Sequence, residues 1–358
     1  MRLEQSEALS AAATSAAPNA PTAAAVQRIA VVRPNHRLGN TLLLTPLVQE
    51  LQQHFPSAQV EIITASNDAP AVFERYERVR AVQFPARSYE HPLQVLSLLA
   101  QLRSRRFDLA IDPMPRQRAG RFLLSWIRAR DRVGYRWGVA WRDRALTQAA
   151  DAAGAPRYFA HAPLYLLRSA YLPGLGVPFD PSAPMPPLDL RLTPTERAAG
   201  AERLATALGA SGGNSNATPQ SIALFAHASG PKGFSIEWWL QLIKALRTRV
   251  PGAQFIEIVP ADRQPRLASV MPGLHTPQLR LLAATLAATS LLVIPDGGVL
   301  HVAEAGGARI LALFKKTDPT QYGPVRPGSE ALWALEASAE AVAARICALL
   351  ERAPSRGG

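Results

Sequence analysis

Cysteine occurs once in the 358 residues, as Cys347, so no disulfide can close within the chain and no cysteine cluster can hold a metal ion. That usage fits a reducing compartment. Lysine is almost as scarce, with four against 35 arginines. No apolar run approaches the roughly 18 residues that a membrane-crossing helix needs. The first residues carry Glu4 and Glu7 and no continuous apolar segment, which argues against a secretory signal, so a cytoplasmic location is expected. Zinc-finger spacing, aromatic-rich RNA-binding strands and Asp-x-Asp pairs in a metal-binding setting are missing. Neither a metal, a cofactor nor a nucleic acid is expected as a partner.

What is abundant is positive charge, formally +12. Between Arg103 and Arg144 twelve arginines stand against four acids (Asp108, Asp112, Asp131 and Asp143), a local net of +8. Such a patch attracts nucleic acid, anionic lipid headgroups or a phosphorylated substrate, nucleic acid being the weakest of these for want of the motifs above, or is simply a solvated, arginine-rich surface. An apolar fraction of 48% belongs to a folded chain, and the length exceeds one ordinary core, so two domains are expected. Residues 1–25 are rich in Ala, Ser, Thr and Pro without helical period and read as a disordered tail. Over 26–172, apolar runs alternate with helical patterns: 28–32 then 41–54, 59–64 then 71–77, 80–84 then 93–103, and 107–111 then 121–129. Pro178, Pro181, Pro184, Pro186 and Pro187 mark 173–194 as a linker. A second alternation fills 195–358, broken by a flexible insertion at Gly209–Thr218. This pattern predicts an α/β chain with two Rossmann-like domains facing each other across a cleft, their ligands beyond the carboxyl ends of the strands.

The most informative stretch is Ile294-Pro295-Asp296-Gly297-Gly298-Val299-Leu300-His301, continuing to Gly307. A short apolar strand over 291–294 passes through an acidic, glycine-bearing turn into a helix opening near Val299. Glycines let the backbone approach a ligand, and a helix start presents free N–H groups and the positive end of its dipole, so the shape is an anion site. A second strand, 310–314, ends in the polar loop Lys315-Lys316-Thr317-Asp318-Pro319-Thr320-Gln321-Tyr322-Gly323-Pro324. Two strand ends thus present polar loops side by side.

Three stretches in order carry a family resemblance. They are Arg33-Pro34-Asn35-His36-Arg37-Leu38-Gly39-Asn40-Thr41-Leu42-Leu43-Leu44-Thr45-Pro46, the Asp296–Gly306 stretch, and Phe314–Pro324 with its Thr-Asp-Pro and Gly-Pro. Together they resemble the glycosyltransferase family 9 heptosyltransferases, which add ADP-activated heptose to lipopolysaccharide core. The resemblance covers nearly the whole chain after residue 25. It implies a GT-B fold and an inverting, metal-independent transfer from a nucleotide-sugar, ADP-heptose, to an anionic glycolipid acceptor, with peripheral contact at the inner membrane.

A nucleotide diphosphate-sugar carries two negative charges that must be held while its sugar–phosphate bond breaks. Gly297, Gly298, Val299 and Leu300 offer backbone N–H groups for that. Lys232, in the loop from Ala228 to Ser235, resembles the family's leaving-group lysine; the alternative is a mobile surface lysine. Asp296 either lies near the donor sugar or anchors the turn. His301 either reaches a bound phosphate, caps the neighbouring loop, or is structural. Thr317 and Asp318 either contact the nucleotide or make a turn. Arg116, Arg118 and Arg121, following Asp112-Pro113-Met114-Pro115, are the candidates for the anionic acceptor.

The family's catalytic aspartate corresponds to Asn40, and an amide cannot take the acceptor proton. Asn40 either aligns the acceptor hydroxyl or caps a helix starting at Thr41. The base must then come from elsewhere, with Asp112 the first candidate and His36 the second. A protein of the same fold that holds a nucleotide-sugar or glycan without turning it over is the competing expectation. Gly297 stands where the family has Ser or Thr, and Lys315-Lys316 where it has Gly-Pro.

Overall fold

A computed structural model of the chain describes residues 23–85, 89–209, 220–228 and 230–352. The expected tail, up to residue 22, and the expected insertion, from residue 210, lie outside the described residues, as does Ser229. The first sheet holds β1 (Arg28–Arg33), β2 (Gln59–Thr64), β3 (Val79–Gln83), β4 (Arg106–Asp112), β5 (Arg128–Tyr135) and β6 (Gln148–Ala150). All pairs are parallel, in the order β3-β2-β1-β4-β5-β6. The second sheet holds β7 (Ser221–Leu224), β8 (Gln254–Val259), β9 (Gly273–His275), β10 (Leu291–Pro295), β11 (Ile310–Phe314) and β12 (Glu330–Trp333). Its order, β12-β11-β10-β7-β8-β9, repeats the first sheet's plan and is again all parallel. This is the two-domain Rossmann-like architecture of the GT-B type. In each sheet the strand order reverses beside the first strand, between β1 and β4 and between β7 and β10, where such sheets take their ligands.

The central strands are apolar because both their faces are covered. β10 and β11 are buried at every position, and β1 is buried from Ile29 to Arg33. One core cluster on the first sheet joins Ile29, Val31, Ile62 and Leu109 to Ala283, Ala284, Val302 and Ala305 of the second half. The apolar interior therefore runs across the boundary between the halves. The proline-rich segment expected to be a linker contributes to it: Leu188, Leu190 and Leu192 are buried, and Leu190 N–H donates to the Ala305 carbonyl at 3.0 Å. Arg280, itself buried, bonds Glu196 bidentately and donates to the carbonyls of Ala71, Leu190 and Arg191. One guanidinium thus ties both halves to the crossing segment.

Several elements depart from the sequence pattern. The single helix expected over 41–54 is two, Leu38–Leu42 and Thr45–His54, the second opening with Pro46 in its first turn. The helix expected over 121–129 is Arg118–Trp126, and the residues after it enter β5. β5 escaped notice because its first half alternates Arg128, Arg130 and Arg132 with Ala129 and Asp131, and only Val133–Tyr135 are buried. Among the described residues no helix is long and apolar enough to cross a membrane.

Candidate active site

A cleft of about 250 Å³ opens where the carboxyl ends of the two sheets meet. The first half contributes Arg33 at the end of β1, then Arg37, Gly39 and Asn40 from the turn and helix that follow, and Phe159. The second half contributes Lys232 from the loop after β7, Asp296, Gly297, Gly298 and His301 after β10, and Thr317 and Tyr322 after β11. The halves touch here. The Phe159 and Tyr322 rings stack at 4.8 Å, and Phe159 N–H donates to the Gln321 carbonyl at 3.1 Å. A Cβ added to Gly39 would sit 2.9 Å from His301 Cδ2 and 3.7 Å from Gly298 Cα, so this crossing needs a residue without a side chain.

Asp296 organises the floor. Its Oδ2 accepts from Lys232 Nζ and from the Thr317 hydroxyl, which brings three strand-end loops to one oxygen. The Lys232 ammonium, partly exposed, is thereby held beside the start of the Gly298–Gly306 helix, whose dipole adds positive potential. Opposite, Arg33 is buried with Nη1 donating to Gln117 Oε1 at 2.7 Å, while its Nε has no partner. Burial lowers the Arg33 guanidinium to about 10, which still leaves it charged at neutral pH. Burial, then the neighbouring Asp296, raises the Tyr322 phenol above its usual range. Cations on both walls and a helix start on one suit a small dianion with a hydroxylated group beside it.

The model of glycosyltransferase family 9 (heptosyltransferase) matches residues 95–350, over two thirds of the chain. The chain belongs to glycosyltransferase family 9. This family 9 enzyme is a glycosyltransferase of the heptosyltransferase type. Its fold is that of a glycosyl transferase family 9 protein from Veillonella parvula (TM-score 0.71, 17% identity, covering 91% of this chain and 98% of that one). It is also that of the E. coli ADP-heptose lps heptosyltransferase II (TM-score 0.64, 16% identity, 91% and 99% covered). A third likeness is to the E. coli heptosyltransferase WaaC with ADP (TM-score 0.68, 18% identity, 90% and 100% covered). A search of curated protein sequences finds no match.

Of the family 9 residues expected at the site, Asn40, Lys232, Asp296, Gly297, Gly298, His301 and Thr317 converge on the cleft. Others do not. The Leu300 N–H donates to the Gly297 carbonyl at 3.2 Å and its side chain is buried under the second sheet; the Val299 side chain packs there too, while its backbone N–H stays in the first turn of the Gly298–Gly306 helix. Asp318 caps the Pro319–Tyr322 helix through Thr320 N–H at 2.8 Å, and the Thr320 hydroxyl and N–H hold its carboxyl below the usual range. Lys315 Nζ donates to the Gly233 carbonyl at 3.0 Å and lies over the Phe234 ring, while Lys316 is exposed. Asn40 sits inside the Leu38–Leu42 helix instead of capping one at Thr41, and its amide donates to Asn35 Oδ1 at 2.9 Å.

Both substitute bases are displaced. His36 is exposed and does not line the cleft. Asp112, fully buried, is bound by Arg121 Nε at 3.1 Å and is likewise outside the cleft. Arg121 is no acceptor ligand either: its remaining donors go to Asp143 and to the carbonyls of Arg142 and Tyr135. Arg116 is exposed, with a left-handed backbone (φ 56). Arg118 is exposed and lines a separate groove of about 310 Å³ with Phe122, Trp137, Trp141 and Arg142. Sequence reasoning passed over Arg33, Arg37 and Tyr322 although they lie inside the quoted stretches. Phe159 carried no pattern at all. Among the described residues no group of three or more His, Cys, Asp or Glu is placed to hold a metal ion.

Proposed function

We propose that this family 9 enzyme transfers heptose from ADP-heptose to an anionic, lipopolysaccharide-core-type acceptor, with inversion at the anomeric carbon. The carrying observation is the convergence of Lys232, Asp296 and Thr317 at the start of the Gly298–Gly306 helix, facing Arg33 across the cleft. That is a cradle for a leaving diphosphate. Support for the donor comes from the E. coli WaaC structure with ADP, which has the same fold. Asp296 is the one carboxylate lining the cleft among the described residues, and Lys232 and Thr317 occupy it, so no free carboxylate nucleophile favours a double displacement with retention. Asp296 orients; it does not transfer the proton.

The acceptor reaches the site from the first half. Its surface carries exposed Phe122 and Trp141 beside Arg118 and Arg142, and the Arg142 guanidinium stacks 4.6 Å from the Trp141 ring. Amphipathic rings with arginines suit an anionic glycolipid at a headgroup layer and support peripheral contact with the inner membrane. The test is calorimetry with ADP and a transfer assay with ADP-heptose. Lys232→Ala is expected to weaken ADP binding by about 10- to 100-fold, the worth of a charge-assisted bond to phosphate. Unchanged ADP affinity in that variant rejects this diphosphate site.

Asn40 motivates one other reading, a nucleotide-sugar-binding protein without turnover. Binding of ADP-heptose with neither transfer nor slow hydrolysis supports it. A large gain in rate for Asn40→Asp would mark the native residue as a defective base, and a loss would mark it as an adapted one.

A further inference from the structure

The cleft holds one imidazole among the described residues, that of His301, and its surroundings differ from those of a phosphate-binding histidine. The residue is 4% exposed, and Nδ1 is buried without a hydrogen-bond partner. The nearest acidic group to that nitrogen is Glu304 Oε2 at 3.8 Å, one turn along the same helix. Glu304 is fully buried. Its two oxygens also accept from Tyr158 Oη at 3.2 Å and Val325 N–H at 2.8 Å, which fixes the carboxyl behind the ring. The opposite edge of the ring lies against Gly39, next to Asn40: a Cβ there would be 2.9 Å from Cδ2 and 3.7 Å from Nε2. Catalytic hydrogen bonds in unliganded sites are commonly long and tighten once substrate is bound.

We propose that His301 is the general base of the transfer reaction, with Glu304 as its positioning residue, in place of the carboxylate that Asn40 lacks; this rests on the donor reading above. Glu304 draws the imidazole proton to Nδ1, which leaves the Nε2 lone pair facing the cleft, as a carboxyl behind a catalytic histidine does elsewhere. An acceptor hydroxyl in the cleft, between Asn40 and the open edge of the ring, is aligned by the Asn40 amide and gives its proton to Nε2. Its oxygen forms the new bond to the anomeric carbon as the bond from that carbon to the diphosphate oxygen breaks. The departing electron pair goes onto the diphosphate, beside Lys232 and the helix start.

The groups that set this titration are identifiable on every side. Glu304 comes from the same helix, Tyr158 and His161 from the first half behind it, Tyr322 from the Pro319–Tyr322 helix at 6.5 Å between rings, and Asp296, Lys232, Arg33 and Arg37 from the cleft walls. Burial keeps Tyr158 protonated and His161 below its usual value, so neither adds a charge behind Glu304 at neutral pH.

The test measures kcat against pH with ADP-heptose and lipopolysaccharide core lacking heptose, alongside ADP affinity by calorimetry. His301→Gln and His301→Ala are expected to lose about 10²–10⁴-fold in kcat and the ascending acid limb of the profile, while ADP affinity stays within about threefold. Imidazole should restore rate to the His301→Ala protein. Glu304→Gln should keep ADP binding and move the acid limb to lower pH, a shift that a merely structural role would not produce. The proposal is overturned if His301→Gln keeps its rate and acid limb, or if rate and ADP affinity fall together, which would make His301 a phosphate ligand. Wild-type protein that binds ADP yet transfers nothing overturns the base but spares the donor site. Wild-type protein that does not bind ADP overturns the donor reading itself.

Discussion

At the residue scale, Asp112 and Arg121 illustrate how a charged pair at a strand end becomes architecture. Burial pushes the Asp112 carboxyl up to about 7, against the downward pull of Arg121 and Arg33. A folded-state value raised above the unfolded one, near 4, stabilises the fold fully below about pH 4, and that contribution is lost as pH rises through about 7. Asp112→Asn cannot titrate, so the melting-temperature difference between wild type and this variant should move against wild type from pH 4 to 7. A difference that is flat across that range in thermal scans would show that Asp112 titrates normally. The same two residues show the limit of reading a site from sequence. A carboxylate after a strand and an arginine after a Pro-Met-Pro turn have the spacing of site residues, but whether they face water or each other depends on packing. Here Gly120 and Gly134 close over Asp112, and Arg121 lies between Asp112, Asp143 and two carbonyls.

At the element scale, the two helix starts that meet in the cleft set its width. Gly39 in the Leu38–Leu42 helix faces Gly298 and His301 at the start of the Gly298–Gly306 helix. Gly39→Ala must push the His301 ring or part the halves. The expected result is at least a tenfold loss of transfer rate with far-UV circular dichroism unchanged, since the contact is between elements and not within one. Full activity would mean that the cleft opens at no cost. The β10 turn was legible because β10 and β11 are buried on both faces and bounded by glycine and charged loops, a signal that needs no knowledge of neighbours. β5, β6, β9 and β12 were not. They are short or charged strands whose pairing partners, rather than their own composition, make them strands.

At the scale of the whole molecule, the halves are joined by Arg280. Thr193 and Glu196 form a capping box at the start of the Pro194–Ala207 helix, and Glu196 also accepts from Arg280 at 2.5 and 3.0 Å. The Arg280 hydrogen bonds hold Glu196 down to about 2, so its contribution is present above the unfolded value, near 4.3, and is lost as pH falls towards 2. Glu196→Ala, which leaves the buried guanidinium without its main partner, should cost about 3 kcal/mol in urea unfolding at neutral pH, and less near pH 3. An equal cost at both values would show that the Glu196 carboxyl is not held below its unfolded value in the fold. By itself the sequence determined the repeated α/β plan, the glycine-bearing turn after β10 and the absence of a carboxylate at position 40, because strand burial, glycine turns and residue identity are local properties. Only the tertiary structure decided which polar side chains face the cleft. It occupied Arg121 and Asp112 with each other, packed the proline-rich segment into a shared core, and set His301 and Glu304 behind Gly39. Residues from distant strands compete there for the same buried hydrogen bonds, and the chain's order does not record which of them win.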